Sequence, residues 1–451
     1  MFERIAIKWL RTWRNKPDRK PLIVRGARQV GKTSLIKTFA AEFDSFLSFN
    51  LDNHDDLQLF AHEMPIEELF NLMLAVRHVS KNGTTLVFID EIQNSPTAIK
   101  MLRYFYEELP HIYVIAAGSL LETLLNRQIS FPVGRVEYMA LRPVSFTEFL
   151  GAIGERGLQN MVEEMSVPEV LHPRIMSLFN QYSLIGGMPE VVAHYAEHRD
   201  VVALDAIYET LLSGYIDDVE KYQKGETMRN ILRFVISKGW QSAAQRITFE
   251  HFGNSNYKSR EIGEAMRTLQ KAMLLELVYP TTELSQPYSE DLRKKPKLMW
   301  LDTGLVNFAA GVQSELFGKR DVGEAWRGAI AEHVVGQELL TISPSFLERR
   351  RFWVREERNS QAEVDFLYKC RNGVLPIEVK SGHNAHLKSL QLFMNESKLN
   401  DAVRFWANPI SEDIVATNSG HKFILHNLPY YYAGQIYKLL GNHSYSPQTP
   451  E

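Results

Sequence analysis

The chain has 451 residues, 45% of them hydrophobic, 23% charged and 11% aromatic, which excludes a disordered, collagen-like or coiled-coil protein. Lysine and arginine number 51 against 54 acidic residues, a net charge of −3, so any nucleic-acid or membrane contact must come from a local patch. A single cysteine, Cys370, excludes an internal disulfide and fits a reducing compartment. No apolar run approaches the roughly 20 residues that span a bilayer. The expectation is a soluble, cytoplasmic protein of about three domains, with no membrane partner.

In chain order, a mixed helix with Trp9 and Trp13 four apart ends in a polar turn at Arg14 to Pro21. The run Leu22-Ile23-Val24 predicts a buried strand, and the turn Gly26 to Gly31 follows it. Leu35, Ile36, Phe39, Ala40 and Phe43 then fall at helical spacing. Further strands are predicted at Phe46 to Leu51, Leu86 to Ile89 and Ile112 to Ala116, with helices at Ile66 to Val79 and Thr97 to Leu109 between them. Strands that are continuous apolar runs alternating with helices predict a parallel sheet covered on both faces.

Past about residue 140 the pattern turns helical, punctuated by Pro168, Pro173 and Gly186-Gly187-Met188-Pro189. Helices at Arg229 to Lys238, near Phe249 and at Glu261 to Lys271, then strands at Leu274 to Tyr279 and Lys297 to Leu301, have the order of a winged helix. Arg293, Lys294, Lys295 and Lys297 form a basic loop, which reads as solvated surface or as a DNA contact. From about 320 a long helix, a hairpin-like pair of strands, another strand and a helix predict a separate α/β unit.

Gly26-Ala27-Arg28-Gln29-Val30-Gly31-Lys32-Thr33 matches the phosphate-loop pattern G-x-x-x-x-G-K-[ST], between a strand and a helix as the chemistry requires. Its backbone N–H groups and the helix N-terminus at Ser34 would cradle phosphates. Lys32 would reach the β- and γ-phosphates, and Thr33 would ligate magnesium. The strand Leu86 to Ile89 ends in Asp90 and Glu91; Asp90 would hold the magnesium, and Glu91 would activate water, which argues for hydrolysis over binding alone. Ser119, after Gly118, is placed to touch the γ-phosphate or the water, and Arg135 is a candidate arginine finger in cis or from a neighbouring copy.

These motifs, with Ile89-Asp90-Glu91-Ile92-Gln93, Gly134-Arg135 and Gly186-Gly187-Met188-Pro189-Glu190 in this order, resemble a large prokaryotic family of AAA+-type ATPases. In that family an ATPase domain precedes a C-terminal domain similar to restriction endonucleases. The resemblance covers nearly the whole chain and implies ATP and magnesium as cofactors, with Ser119 as a sensor. It departs from the full AAA+ pattern in lacking a second sensor arginine that can be placed.

The C-terminal region carries a second constellation. Val364-Asp365-Phe366 is expected to lie in a strand, and Ile377-Glu378-Val379-Lys380 on the next puts Glu378 and Lys380 on one strand face. With Glu332 on the preceding helix, this resembles the PD-(D/E)-x-K nucleases, in which carboxylates such as Asp365 and Glu378 ligate magnesium and the lysine positions water. Arg349, Arg350, Arg351, Arg355 and Arg358 nearby could meet phosphates, or pair with the interleaved Glu348, Glu356 and Glu357. The histidines show no metal-ligand spacing.

The expected α/β fold is thus a P-loop NTPase sheet over 1–145, a helical lid and winged helix over 146–310, a restriction-endonuclease-like domain over 311–442 and a tail over 443–451. The expected activity is ATP hydrolysis gating a metal-dependent site that acts on DNA. The alternative is a signalling or scaffold ATPase with a catalytically silent C-terminal domain that binds a protein partner or a second copy.

Overall fold

The computed structural model describes residues 2–80, 83–118, 132, 134–221, 225–313, 324–357, 360–370, 373–381 and 387–439. Strands β1 (Leu22–Arg25), β2 (Ser45–Asn50), β3 (Thr85–Asp90), β4 (Tyr113–Gly118) and β5 (Glu137–Ala140) form one parallel sheet in the order β2-β3-β4-β1-β5. Alternate residues serve opposite faces. Leu22, Val24, Leu86, Phe88, Ile115 and Ala117 enter the core beneath helices Ala6–Arg14 and Lys32–Ala40. Ile23, Val87, Ile89, Val114 and Ala116 enter a second core under helices Ile66–Val76 and Pro96–Glu108. Both faces are covered, as continuous apolar runs demand.

Register decides where the chemistry falls. Arg25 is level with Gly118, and Ile89 with Ala116. The turn after β1 and the carboxylates ending β3 therefore leave the same edge of the sheet, with β4 between them.

The middle region begins with helices Phe146–Ala152, Arg156–Glu163, His172–Ile185, Pro189–His198 and Asp205–Lys221. Helices Glu226–Lys238 and Ser259–Lys271 follow, then the antiparallel pair β6 (Leu275–Val278) and β7 (Lys297–Trp300). The helix expected near Phe249 is not formed. A short 3-10 turn, Phe252–Asn254, stands there, because His251, Gly253 and Asn254 all take positive φ, which an α-helix cannot accommodate.

The C-terminal region has helix Glu324–Thr341, the hairpin β8 (Trp353–Glu357) and β9 (Ser360–Val364), and a mixed sheet. That sheet comprises β10 (Phe366–Cys370), β11 (Gly373–Val379), β12 (Asp401–Trp406), β13 (Ser411–Ala416) and β14 (Lys422–Pro429), in the order β10-β11-β12-β14-β13. Asp365, expected within a strand, lies at the bend between β9 and β10. One continuous core runs from Ala6 to Ile436 and draws on all three regions, so the units share their packing. The segment after helix Glu324–Thr341 also touches the first sheet: Ala140 N–H donates to Pro344 O at 2.7 Å, and the Tyr138 and Phe346 rings meet. Among the described residues no helix is long and apolar enough to cross a membrane.

Candidate active site

The phosphate loop is built as its sequence requires. Gly26 is obligatory, since a Cβ there would lie 2.5 Å from Leu141 O. Gln29 and Gly31 take φ of 64° and 92°, turning the backbone so that helix Lys32–Ala40 begins at the mouth of a cleft. Ala27 and Val30 bury their side chains, so they serve the loop through their backbone. Gly31, Lys32, Thr33, Ser34 and Glu91 line one wall of the cleft, which has a volume of about 560 Å³, within the range of nucleotide-sized pockets.

Inside the cleft, Lys32 Nζ donates to Gly26 O at 3.0 Å and Ala27 O at 2.9 Å. Burial lowers its pKa, opposed by the nearby Glu91 and Asp90 carboxylates. Thr33 Oγ1 donates to Asp90 Oδ2 at 2.5 Å, and Asp90 Oδ1 accepts the Glu91 N–H at 3.0 Å. Glu91 itself adopts φ 51°, a left-handed turn straight after β3. Gln93 Nε2 donates to its Oε2, and burial raises its pKa above the ordinary carboxylate value. Gln93 is a contact the motif alone did not assign.

The other wall comes from the helical region. Pro189 and Glu190 open helix Pro189–His198, and the Pro189 ring lies beside Gly31. The turn Gly186-Gly187 sets that position. Gly187 N–H donates to the buried Asp302 Oδ2 at 2.5 Å, while Gly187 O accepts the Val144 N–H at 2.7 Å. Helix Asp205–Lys221 also meets the loop. Arg28 Nη1 pairs with Asp218 Oδ1 at 2.7 Å, and Tyr215 OH donates to Arg28 O at 3.2 Å.

The two weaker candidates are not brought to this cleft. Ser119 lies outside the described residues. Arg135 precedes β5, at the sheet end opposite the phosphate loop, and its Nε pairs with Glu107 Oε1 at 2.8 Å on an exposed surface. A cis contact with the cleft is not formed.

In the C-terminal region the four predicted residues do converge. Oxygens of Glu332, Glu363 and Asp365 lie within 4.8 Å of one another. Asp365 Oδ2 accepts the Val379 N–H at 2.7 Å, which ties it to β11 beside Glu378. Lys380 Nζ meets Glu378 Oε1 at 2.5 Å, so the two share a face as their spacing predicts. Burial pushes both Glu332 and Glu378 up to about 8 and raises Asp365. Sequence reasoning missed two members. Glu363 is two residues from Asp365, a period-two signal that could have exposed it. Lys297, grouped with the basic loop, is instead buried, with its Nζ bonded to Glu332 Oε1 and to Glu363 Oε1 at 2.8 Å.

Five of the surrounding basic residues are paired with acids. Lys294 meets Glu356 at 2.7 Å and Arg293 meets Asp291 at 2.9 Å. Arg350 forms a buried pair with Glu276 at 2.8 Å, Arg351 lies 3.8 Å from Glu348, and Arg355 binds Glu357 and Glu396. Arg358 lies outside the described residues.

Residues 18–150 match a sequence family described as an AAA domain. The matched stretch contains the parallel sheet, the phosphate loop and the carboxylates that end β3. Residues 176–316 and 327–427 match two families described as domains of unknown function, DUF8612 and DUF4143. No curated protein matches the chain. Among solved structures, the chain is similar to the Walker-type ATPase PABY2304 of Pyrococcus abyssi, at 17% identity and a TM-score of 0.44, over 69% of this chain and 96% of that one. It is similar to the Thermotoga maritima RuvB Holliday junction branch migration motor at 15% identity and a TM-score of 0.27, over 61% and 90% of the two chains. The Aeropyrum pernix Orc1 protein in complex with DNA gives 11% identity and a TM-score of 0.28, over 70% and 93%.

Proposed function

We propose that the chain hydrolyses ATP with magnesium in the cleft between the parallel sheet and helix Pro189–His198, and that turnover governs a divalent-metal site in the C-terminal region acting on DNA. The observation that carries the ATPase reading is the 2.5 Å bond between Thr33 Oγ1 and Asp90 Oδ2 beside the buried Glu91. A hydroxyl, a carboxylate and a second acid converge there at the mouth of a phosphate loop. Thr33 and Asp90 are hard oxygen donors that fit magnesium, whose charge would neutralise the phosphates. Gly26 to Ser34 would cradle the phosphates, with Lys32 exchanging its loop carbonyls for phosphate oxygens. Glu91, held by Gln93, would take the proton of the attacking water. Arg135 would act only on a neighbouring copy, and Ser119 would sense the γ-phosphate.

In the C-terminal region, Asp365, Glu378 and Glu332 offer an oxygen-only donor set that fits magnesium or manganese, with Lys380 poised to position water. The ion would supply charge stabilisation for phosphodiester cleavage. The winged-helix-like region would hold the DNA. A second reading, a scaffold ATPase with a silent C-terminal domain that binds a protein partner, is favoured by one observation: the lysines already pair with Glu332, Glu363 and Glu378.

Purified protein incubated with labelled single- and double-stranded DNA, magnesium or manganese, with and without ATP, tests both readings. ATP hydrolysis lost in Lys32→Ala, and cleavage lost in Asp365→Ala and Glu378→Ala, support the first. Intact ATP hydrolysis without cleavage under every condition moves the conclusion to the second.

A further inference from the structure

The C-terminal acidic cluster contains a cation that belongs to another part of the chain. Lys297 opens β7 and stands 35 residues before Glu332. Its side chain is only 2% exposed, and its ammonium bonds Glu332 Oε1 and Glu363 Oε1, two of the three grouped carboxylates. A seat is built beneath it, with the Phe352 ring centre 4.5 Å from Nζ and the Phe366 ring 5.7 Å away. Burying a lysine so fully is costly unless its charge is matched, so this placement is specific.

Charge and space set what that lysine does. Four carboxyl groups, Glu332, Glu363, Asp365 and Glu378, gather around two ammoniums, Lys297 and Lys380, so oxygen donors outnumber the cations that hold them. Glu378 Oε2 is buried without a hydrogen-bond partner among the described residues, while its other oxygen is held by Lys380. Both features suit one divalent cation. Such an ion draws carboxylate oxygens to about 2.0–2.6 Å, the same space the Lys297 ammonium fills between Glu332 and Glu363.

We propose that Lys297 is a built-in competitor for the divalent cation at Glu332, Glu363 and Asp365, so that cation entry requires β7 to withdraw it. The proposal rests on the metal-site reading given above. The strand that carries Lys297 is also tied to the ATPase sheet. Glu276 on β6, opposite Met299 on β7, pairs with Arg350, and the segment leading to Arg350 accepts the Ala140 N–H at Pro344 O. Movement at the sheet edge therefore has a packed route to the lysine.

The test uses the full chain, stripped of metal and free of nucleotide, titrated with manganese by calorimetry. Lys297→Met and Lys297→Gln are compared with wild type, and Asp365→Asn is added to the Lys297→Met background. Removing a positive charge from the cluster should tighten manganese binding by at least about tenfold in both single variants, and the added Asp365→Asn should abolish it. Unchanged or weaker binding in the Lys297 variants overturns the competition while leaving the metal site standing. No binding in any form, wild type included, overturns the metal site and the proposal together. Should the variants not fold, wild type decides. Manganese should raise labelling of Lys297 by an amine-reactive ester, read by mass spectrometry, and bound manganese with Lys297 still protected overturns the proposal.

Discussion

Glu91→Gln separates binding from chemistry more cleanly than any other single change at the cleft. Glutamine keeps the shape of the side chain and can still meet Gln93, so the left-handed turn at Glu91 and the Asp90 bond to its N–H should persist. What is lost is a carboxylate able to accept a proton. A positioned general base contributes about 10²- to 10⁴-fold, so ATP turnover should fall by that factor, a barrier rise of about 3–5 kcal/mol. Affinity for a fluorescent ATP analogue should change by less than about threefold, because Lys32, Thr33 and the loop backbone are untouched. The pH dependence follows with a definite sign. Burial raises the Glu91 pKa, and only the ionised form can act as base, so wild-type turnover should fall as pH drops through that raised value. Phosphate release measured across pH 5 to 8, beside equilibrium binding, checks both parts. Wild-type-like turnover in Glu91→Gln would refute the assignment of the base, and a parallel loss of affinity would show that Glu91 binds nucleotide instead.

Four further outcomes are expected. Gly26→Ala should abolish nucleotide binding and lower the urea midpoint by an amount worth about 1–3 kcal/mol, because the new methyl meets the backbone at Leu141 O and no side chain can yield. Glu276→Ala should cost about 3–5 kcal/mol in urea unfolding, since it leaves the Arg350 guanidinium buried and unpaired. Glu338, buried and pushed up to about 7, contributes stability that is fully present below its unfolded pKa near 4.5 and is lost as pH rises through 7. The wild type should therefore lose roughly 3 kcal/mol between pH 5 and pH 8 relative to Glu338→Gln, whose carboxamide oxygen keeps the bonds from Tyr182 OH and Phe146 N–H. Arg135→Ala should leave the turnover of dilute protein within about twofold, given its exposed pair with Glu107; a loss appearing only at high protein concentration would identify a finger acting between copies.

How far the residues announced this molecule depends on how local each signal is. The phosphate loop, Asp90 and Glu91 were legible because a short motif fixes backbone geometry within one strand-turn-helix unit, and apolar runs placed both strands. Glu378 and Lys380 were legible for the same reason, through the two-residue period of a strand. Lys297 was not. In sequence it ends a basic stretch after Pro296, and only the tertiary approach of β7 to Glu332 and Glu363 turns a surface-like lysine into a buried one. The helix expected near Phe249 failed for a more local reason: His251, Gly253 and Asn254 take positive φ, a region that glycine and asparagine enter readily and that an α-helix excludes.

The two sites are joined by a polar chain whose direction can be worked out. Trp300 N–H donates to His333 Nε2 at 3.1 Å, so the imidazole proton must reside on Nδ1, which then donates to Thr303 Oγ1 at 2.9 Å. Burial holds His333 down to about 3, which keeps it neutral and preserves that order. Thr303 Oγ1 in turn donates to Gln337 Oε1 at 3.0 Å, and Gln337 Nε2 donates to Tyr182 OH at 3.1 Å. The next residue to Thr303 is Asp302, whose carboxylate grips Gly187 and so seats Pro189 against the phosphate loop. His333 and Gln337 lie on the helix that carries Glu332 into the acidic cluster. A helix fixed this way cannot slide independently of the loop that holds Pro189. Gln337→Leu should therefore loosen both ends at once, lowering ATP turnover and altering manganese binding at Glu332 although Gln337 bonds to neither site. A variant in which one end changes and the other does not would show that the hub only supports the fold.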